Sequence, residues 1–388
     1  MNIKEIDSQY VANTYARFPV QLQCGKGSLV WDEDGREYID MGSGIAVNAF
    51  GVADGAWAAA VSAQLGRLQH CSNLYYSEPC ALLAEQLCRH TGMKKVFFGN
   101  SGAEANECAI KCARKYAADK YGAGNRYKIV TLKNSFHGRT LTTLAATGQD
   151  EFHADFQPLT PGFLYAEAND CAALRALVEG DGAIAAIMFE LVQGEGGVHR
   201  LSQEFVDCMV SLAAERDLLL ICDEVQTGNG RTGSLYAWMQ YGFVPDIMST
   251  AKGLGGGLPI GACLMGEKVE HTLTAGSHGS TFGGNPAVCA GALSILERID
   301  DGLLAEVRAK GGYIVSQLSS APGVISVTGM GLMLGIATEK PTAEVVAECM
   351  ANGVLVLTAH GKVRLLPALN IPMELVEKAV AVIRAACA

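Results

Sequence analysis

The chain has 388 residues, 49% hydrophobic and 18% charged, with a formal charge of -10. That length exceeds one ordinary core and leads us to expect two lobes. The acidic balance argues against a nucleic-acid partner, and no apolar run approaches the roughly 18 residues of a membrane helix. Met1 to Tyr10 is polar and charged, unlike a signal peptide or an anchor. The thirteen cysteines are odd in number and scattered, several within apolar patterns such as Cys208, Cys222 and Cys289. They read as reduced thiols of a cytoplasmic protein rather than a disulfide framework, and Cys108 and Cys112, one helical turn apart, do not have the spacing of a zinc knuckle.

In chain order, Ser28 to Asp40 reads as a hairpin, with Leu29-Val30-Trp31 and Tyr38-Ile39 flanking a turn at Asp34-Gly35. From about Trp57, short apolar runs alternate with helical patterns. The strand candidates are Lys95–Gly99, Tyr127–Leu132, Ala183–Phe189, Leu218–Cys222 and Asp246–Ser249, with Phe205, Cys208, Met209 and Leu212 at helical spacing between two of them. This alternation predicts an α/β fold on a mostly parallel, buried sheet. After about Ser294 a helix near Leu303–Leu318 precedes runs at Val324–Val327 and Leu332–Ala337. A helix at Ala343–Met350 then ends at Asn352-Gly353, runs follow at Val354–Leu357 and Val363–Leu366, and Pro372 opens a last helix. These elements form a second α/β lobe.

Ligands of open α/β sheets bind beyond the C-terminal ends of the strands, and nearly every unusual polar cluster here follows a strand candidate. After Lys95–Gly99 comes Asn100-Ser101-Gly102-Ala103-Glu104, where Ser101 and Glu104 form a capping box and the glycine-containing helix start also suits a phosphate. After Leu132 comes Asn134-Ser135-Phe136-His137-Gly138-Arg139. Phe136 suits stacking on an aromatic ring, Arg139 suits a carboxylate, and His137 suits either packing or acid–base work. Glu190, at the end of the third run, needs a cationic partner if buried, and an arginine from elsewhere is the natural one. Asp223 closes the fourth run. Lys252 follows the fifth and opens the loop Gly253-Leu254-Gly255-Gly256-Gly257, and Ser280-Thr281-Phe282-Gly283-Gly284-Asn285-Pro286 makes another polar turn before a helix. A carboxylate ending one buried strand and a lysine just beyond another are what pyridoxal phosphate chemistry requires: the lysine forms a Schiff base with the aldehyde and the carboxylate pairs with the ring nitrogen.

The run Leu219 to Gly228, Gly230-Arg231-Thr232-Gly233, Pro245-Asp246-Ile247, Ala251-Lys252-Gly253 and Pro259-Ile260-Gly261 resembles the class III (subgroup II, ornithine-type) pyridoxal-phosphate-dependent aminotransferases. Asn13 to Pro19, Ser43 to Asn48, His70 to Tyr75 and Val363 to Pro367 extend the resemblance over almost the whole chain. It implies a fold type I transferase with an N-terminal segment and hairpin over 1–50 joining the small domain, a cofactor-binding large domain over 51–290 and a small domain over 291–388. It also implies a homodimer. By the same resemblance Lys252 is the Schiff-base lysine, Asp223 holds the pyridinium proton and Gln226 meets the ring's phenolic oxygen. Ser101, Gly102 and Ala103 hold the phosphate, Thr281 reaches the neighbouring subunit's phosphate, and Phe136 stacks on the ring. Arg139 and Arg364 take substrate carboxylates, Glu190 pairs with Arg364, and Ser280 and Tyr15 touch substrate. The implied reaction passes the distal amine of N2-acetylornithine to 2-oxoglutarate, as in arginine biosynthesis. Ornithine, succinylornithine, N-succinyl-diaminopimelate and 4-aminobutyrate are the alternative donors, and a catalytically silent cofactor-binding protein is the alternative from another class. Two positions depart from the family: Val52-Ala53-Asp54-Gly55 stands where it has His-x-His-Pro, and Leu191 stands where it has proline, next to Glu190.

Overall fold

The computed structural model of the protein describes residues 2–388. Its centre is a seven-stranded sheet in the order Lys95–Gly99, Gly261–Met265, Ile247–Thr250, Leu219–Asp223, Ile184–Phe189, Lys128–Leu132, Phe163–Ala166. All neighbours run parallel except Gly261–Met265, which is antiparallel to both of its partners. The five expected strands are present within one or two residues of their apolar runs. Alternate residues on these strands enter two different cores, as the two-residue period of a strand requires. Ile129, Ala186, Met188, Leu219, Ile221, Ile247 and Cys263 pack with Cys108, Ile110 and Cys112 of the helix Gly102–Tyr121. Val130, Leu132, Ile187, Phe189, Leu220, Cys222, Met248 and Leu264 pack with Phe205, Met209 and Leu212 of the helix Gln203–Arg216. A sheet buried on both faces leaves its strand ends as the places where polar loops reach solvent.

The C-terminal part has an antiparallel sheet, in the order Val324–Met330, Met333–Thr338, Lys362–Leu365, Leu357–Ala359. The helices Asp301–Leu318, Thr342–Ala351 and Met373–Cys387 contribute Val307, Ile314, Val345, Cys349, Val376 and Ile383 to its core. The single run expected over Val354–Leu357 is divided. Val354–Leu355 pairs in parallel with Glu37–Asp40 of the N-terminal hairpin, and Leu357–Ala359 turns to the C-terminal sheet. The hairpin, with its further strand Leu22–Lys26, is thereby stitched to the chain's end. All thirteen cysteines are free. Among the described residues no helix is long and apolar enough to cross a membrane.

Candidate active site

Five of the parallel-sheet strand ends and their loops surround one cavity of about 450 Å³. Its walls include Ser101, Gly102, Ala103, Phe136, His137, Arg139, Glu190, Asp223, Gln226 and Lys252.

Asp223 ends its strand wholly inside the protein, 3% exposed. Its Oδ2 accepts from Asn106 Nδ2 at 2.7 Å and lies 2.7 Å from His137 Nδ1, and its Oδ1 accepts the Val225 N–H at 3.0 Å. Asn106 also donates to the His137 carbonyl at 2.8 Å, so helix, loop and strand are locked around one carboxylate. Asn106 stands on the sheet-facing side of its helix, one turn after Gly102, and neither it nor His137 is identified as a partner of Asp223 by the sequence pattern. His137 Nε2 and Asn106 Oδ1 are buried with no hydrogen-bond partner.

Lys252 follows the strand Ile247–Thr250 and carries a left-handed backbone, φ 44°, an uncommon state for a residue with a side chain. Asn229 braces the preceding turn, its Nδ2 donating to Thr250 Oγ1 at 3.0 Å and to the Ala251 carbonyl at 3.1 Å. Desolvation lowers the Lys252 pKa. Glu195 and Asp223 act against that, and Arg364 acts with it. The amine is thus biased toward its neutral, nucleophilic form while part of it still faces the cavity.

The helix Gly102–Tyr121 begins at the cavity wall. Ser101 caps it, accepting the Glu104 N–H at 3.2 Å. The return arm of the expected capping box goes one residue further back: Glu104 takes the Asn100 N–H, and the Asn100 amide at 3.2 Å. A Cβ on Gly102 would sit 2.6 Å from Val225 Cγ1, so only glycine lets the helix start approach the Asp223 loop this closely. The first-turn N–H groups of a helix lack internal acceptors and carry the positive end of its dipole. This end of the cavity therefore fits a phosphate.

The structure corrects one expectation. Arg364, 3% exposed, does not pair with Glu190. Its Nη1 donates to Glu195 Oε1 at 2.7 Å, Gln226 Oε1 at 3.2 Å and the Gly194 carbonyl at 3.3 Å. Glu190 instead accepts two backbone N–H groups, from Phe136 at 2.9 Å and Gly194 at 3.1 Å. The reason is geometric: at the strand end the nearest donors are the amides of adjacent loops, and the arginine meets the carboxylate five residues further along. Burial raises the Glu190 pKa to about 7. Burial also pushes Glu195 up, but Arg364, with Lys252 and Gln226, outweighs this and holds Glu195 below the ordinary range. Leu191, the residue in place of the family's proline, is fully buried in the core.

Arg139 is exposed at the cavity wall, its guanidinium 4.0 Å from the Phe152 ring centroid and 5.6 Å from that of Phe136. Three expected residues lie off this cavity. Tyr15 is 73% exposed beneath the Arg17 guanidinium, Thr281 is exposed, and Ser280 holds the Asn100 amide at 3.2 Å and the Gly283 N–H at 3.0 Å.

Comparison with known proteins covers nearly the whole chain. The family model described as Aminotransferase class-III matches residues 10–387. The acetylornithine aminotransferase of Haemophilus ducreyi is 51% identical over 383 residues, covering 98% of this chain and 97% of that protein. That of Aquifex aeolicus is 45% identical over 377 residues, covering 97% and 99%. Among solved structures, the chain superposes on the ornithine aminotransferase of Toxoplasma gondii with a TM-score of 0.94 at 31% identity, covering 99% of this chain and 93% of that one. On the N-acetylornithine aminotransferase of Stenotrophomonas maltophilia the TM-score is 0.84 at 35% identity, covering 98% and 97%.

Proposed function

The chain belongs to the class-III aminotransferases, and we propose that it transfers the distal amino group of N2-acetylornithine to 2-oxoglutarate, giving N-acetylglutamate 5-semialdehyde and glutamate, with pyridoxal 5′-phosphate as cofactor. The observation that carries the reading is the convergence of Lys252, Asp223 and the start of the Gly102–Tyr121 helix on one cavity. The near full-length identity to acetylornithine aminotransferases selects the donor.

When bound, the cofactor supplies an aldehyde that takes amines covalently and a protonated ring that withdraws electrons from the reacting carbon. The N–H groups of Gly102 and Ala103, beside Ser101, hold its phosphate. Asp223, clamped by Asn106, His137 and the Val225 amide, holds the ring nitrogen's proton. Gln226, whose Nε2 donates to Glu195 Oε1 at 3.4 Å, would meet the phenolic oxygen, and Phe136 would stack on the ring. Lys252, biased toward the neutral amine, binds the resting cofactor. With the donor in the site, its Nζ would be the group placed to hold and move the proton at the donor's reacting carbon. Arg139, at the wall, binds the single carboxylate of N-acetylornithine. Glu195 neutralises Arg364 while that donor is present. A dicarboxylate engages both arginines, and Glu195 yields Arg364 to it.

A second copy of the chain completes the arrangement in this reading. Leu74, Tyr75, Tyr76 and Phe282 are exposed large apolar residues, beside Thr281, and a homodimer covers them while Thr281 reaches the partner's phosphate site. Ser280 and Tyr15 serve substrate in the same assembled form. The thirteen free thiols accord with a cytoplasmic enzyme. The test is a half-reaction screen followed by cofactor absorbance, with N-acetylornithine, ornithine, N-succinylornithine and 4-aminobutyrate. N-acetylornithine is expected to lead by orders of magnitude, and a clear lead for another amine overturns the specificity.

A further inference from the structure

We propose that Glu190 is a positioning residue that ties the loop presenting Arg139 to the loop whose Gly194 and Glu195 hold Arg364, and so sets the site's selectivity for a dicarboxylate over a monocarboxylate. The inference rests on the reading above for the two arginines.

Glu190 is a buried carboxylate, 5% exposed, at the end of the strand Ile184–Phe189. Its hydrogen bonds come from two different loops. Oε2 takes the Phe136 N–H at 2.9 Å and Oε1 takes the Gly194 N–H at 3.1 Å. Burying a carboxylate is costly, and among the described residues Glu190 forms no direct ion pair, so a specific positioning task explains its retention. Each N–H it holds belongs to a residue that touches an arginine. The Phe136 ring lies 5.6 Å from the Arg139 guanidinium. The Gly194 carbonyl accepts from Arg364 Nη1 at 3.3 Å, and the next residue, Glu195, accepts from the same nitrogen at 2.7 Å. One carboxylate therefore joins the support of both guanidinium groups through one residue on each side, Phe136 and Gly194.

The chemistry also restricts what can stand at this position. Both partners are donors, so the tie needs two acceptor oxygens a carboxylate's width apart. Glutamine offers one oxygen and turns an NH2 group against the other N–H. Aspartate offers both oxygens one methylene short of the span. Either change leaves the cavity lined but frees one loop from the other. A ligand that meets one arginine is insensitive to that freedom, whereas a ligand that must meet both at once is not.

The test is calorimetric binding of glutarate and of valerate, which lack a reactive amine or carbonyl, to the cofactor-loaded enzyme. In Glu190→Gln, glutarate is expected to lose about tenfold or more in affinity, with valerate unchanged within about twofold. Equal weakening of both ligands, or retention of the wild-type ratio, overturns the tie. A wild-type enzyme that does not prefer glutarate to valerate overturns instead the two-arginine reading on which it rests. If the glutamine variant fails to fold, amide hydrogen exchange on the unliganded wild type decides: the tie requires slow exchange at both Phe136 and Gly194, and fast exchange at either refutes it.

Discussion

Replacing Glu195 by glutamine tests whether this carboxylate competes with substrate for Arg364. Arg364 is 3% exposed and its Nη1 has three acceptors, of which Glu195 is the closest at 2.7 Å and the only charged one. A substrate carboxylate that takes this nitrogen has to displace Glu195. The Glu195 side chain is 27% exposed, which places the contact between a screened surface pair and a dry one. A charge-assisted hydrogen bond in that setting contributes about 1.5 kcal/mol, roughly a factor of ten in affinity. Glutamine keeps the side-chain length and an oxygen for Arg364 but removes the charge. The kcat/KM for the glutamate half-reaction, divided by that for N-acetylornithine, should therefore rise about tenfold. Stopped-flow absorbance at saturating cofactor reads both. A ratio that stays put or falls would show that Glu195 does not guard Arg364, and that the ion pair is only a fixture of the fold.

Three further outcomes follow from the same geometry. Lys252→Ala should bind cofactor without covalent attachment, read by mass spectrometry after borohydride treatment, and should lose turnover; normal turnover would remove the lysine from the chemistry. Gly102→Ala places a Cβ 2.6 Å from Val225 Cγ1, so the cofactor dissociation constant measured by equilibrium dialysis should rise about tenfold, and adding Val225→Ala should restore much of it; an unchanged constant would refute a phosphate site at this helix start. Burial raises the Glu224 pKa from 4.5 to about 7. Between those values the folded protein keeps a proton that the unfolded chain has lost, so stability falls as pH rises through that window, by about 3 kcal/mol at most for this group. Glu224 accepts from Thr227 Oγ1 at 2.5 Å and the Trp238 N–H at 2.8 Å. Glutamine can satisfy both, because the hydroxyl can reverse its role, so urea unfolding of Glu224→Gln should weaken less between pH 5 and 7 than that of the wild type. Parallel profiles would contradict the shift.

The sequence exposes the central strands because strands buried on both faces must be apolar throughout, and Ile184–Phe189 is buried at all six positions. It exposes the site because polar residues directly after such runs have few other places to go. Gly261–Met265 is as apolar as its neighbours, but nothing local marks it as antiparallel; the path of the preceding loop sets its direction. The choice between Glu190 and Glu195 fails for a related reason. Periodicity assigns Glu190 to a buried strand end and so to a need for a partner, but the partners are amides of loops that converge only in three dimensions. Tyr15, Ser280 and Thr281 carry a motif yet lie off the cavity of their own chain, and no pattern along one chain tells how far from the cavity a motif residue will stand.

The departure at Val52-Ala53-Asp54-Gly55 has its own set of contacts behind the glycine loop. Asp54 caps the helix Gly55–Leu65 by accepting the Trp57 N–H at 2.8 Å. The same carboxylate forms a two-pronged pair with Arg298, at 2.8 and 3.0 Å, and the Arg298 guanidinium lies 4.0 Å from the Phe50 ring centroid. The helix so anchored presents Trp57 to the loop that follows Lys252. The indole Nε1 donates to the Gly255 carbonyl at 3.0 Å, and a Cβ on Gly256, where φ is 60°, would sit 3.0 Å from the indole. Here an aspartate cap, a half-buried arginine and a tryptophan hold this end of the glycine loop. These contacts support the loop from behind and leave its front, where Gly257, Leu258 and Lys252 face the cavity, free for the reaction.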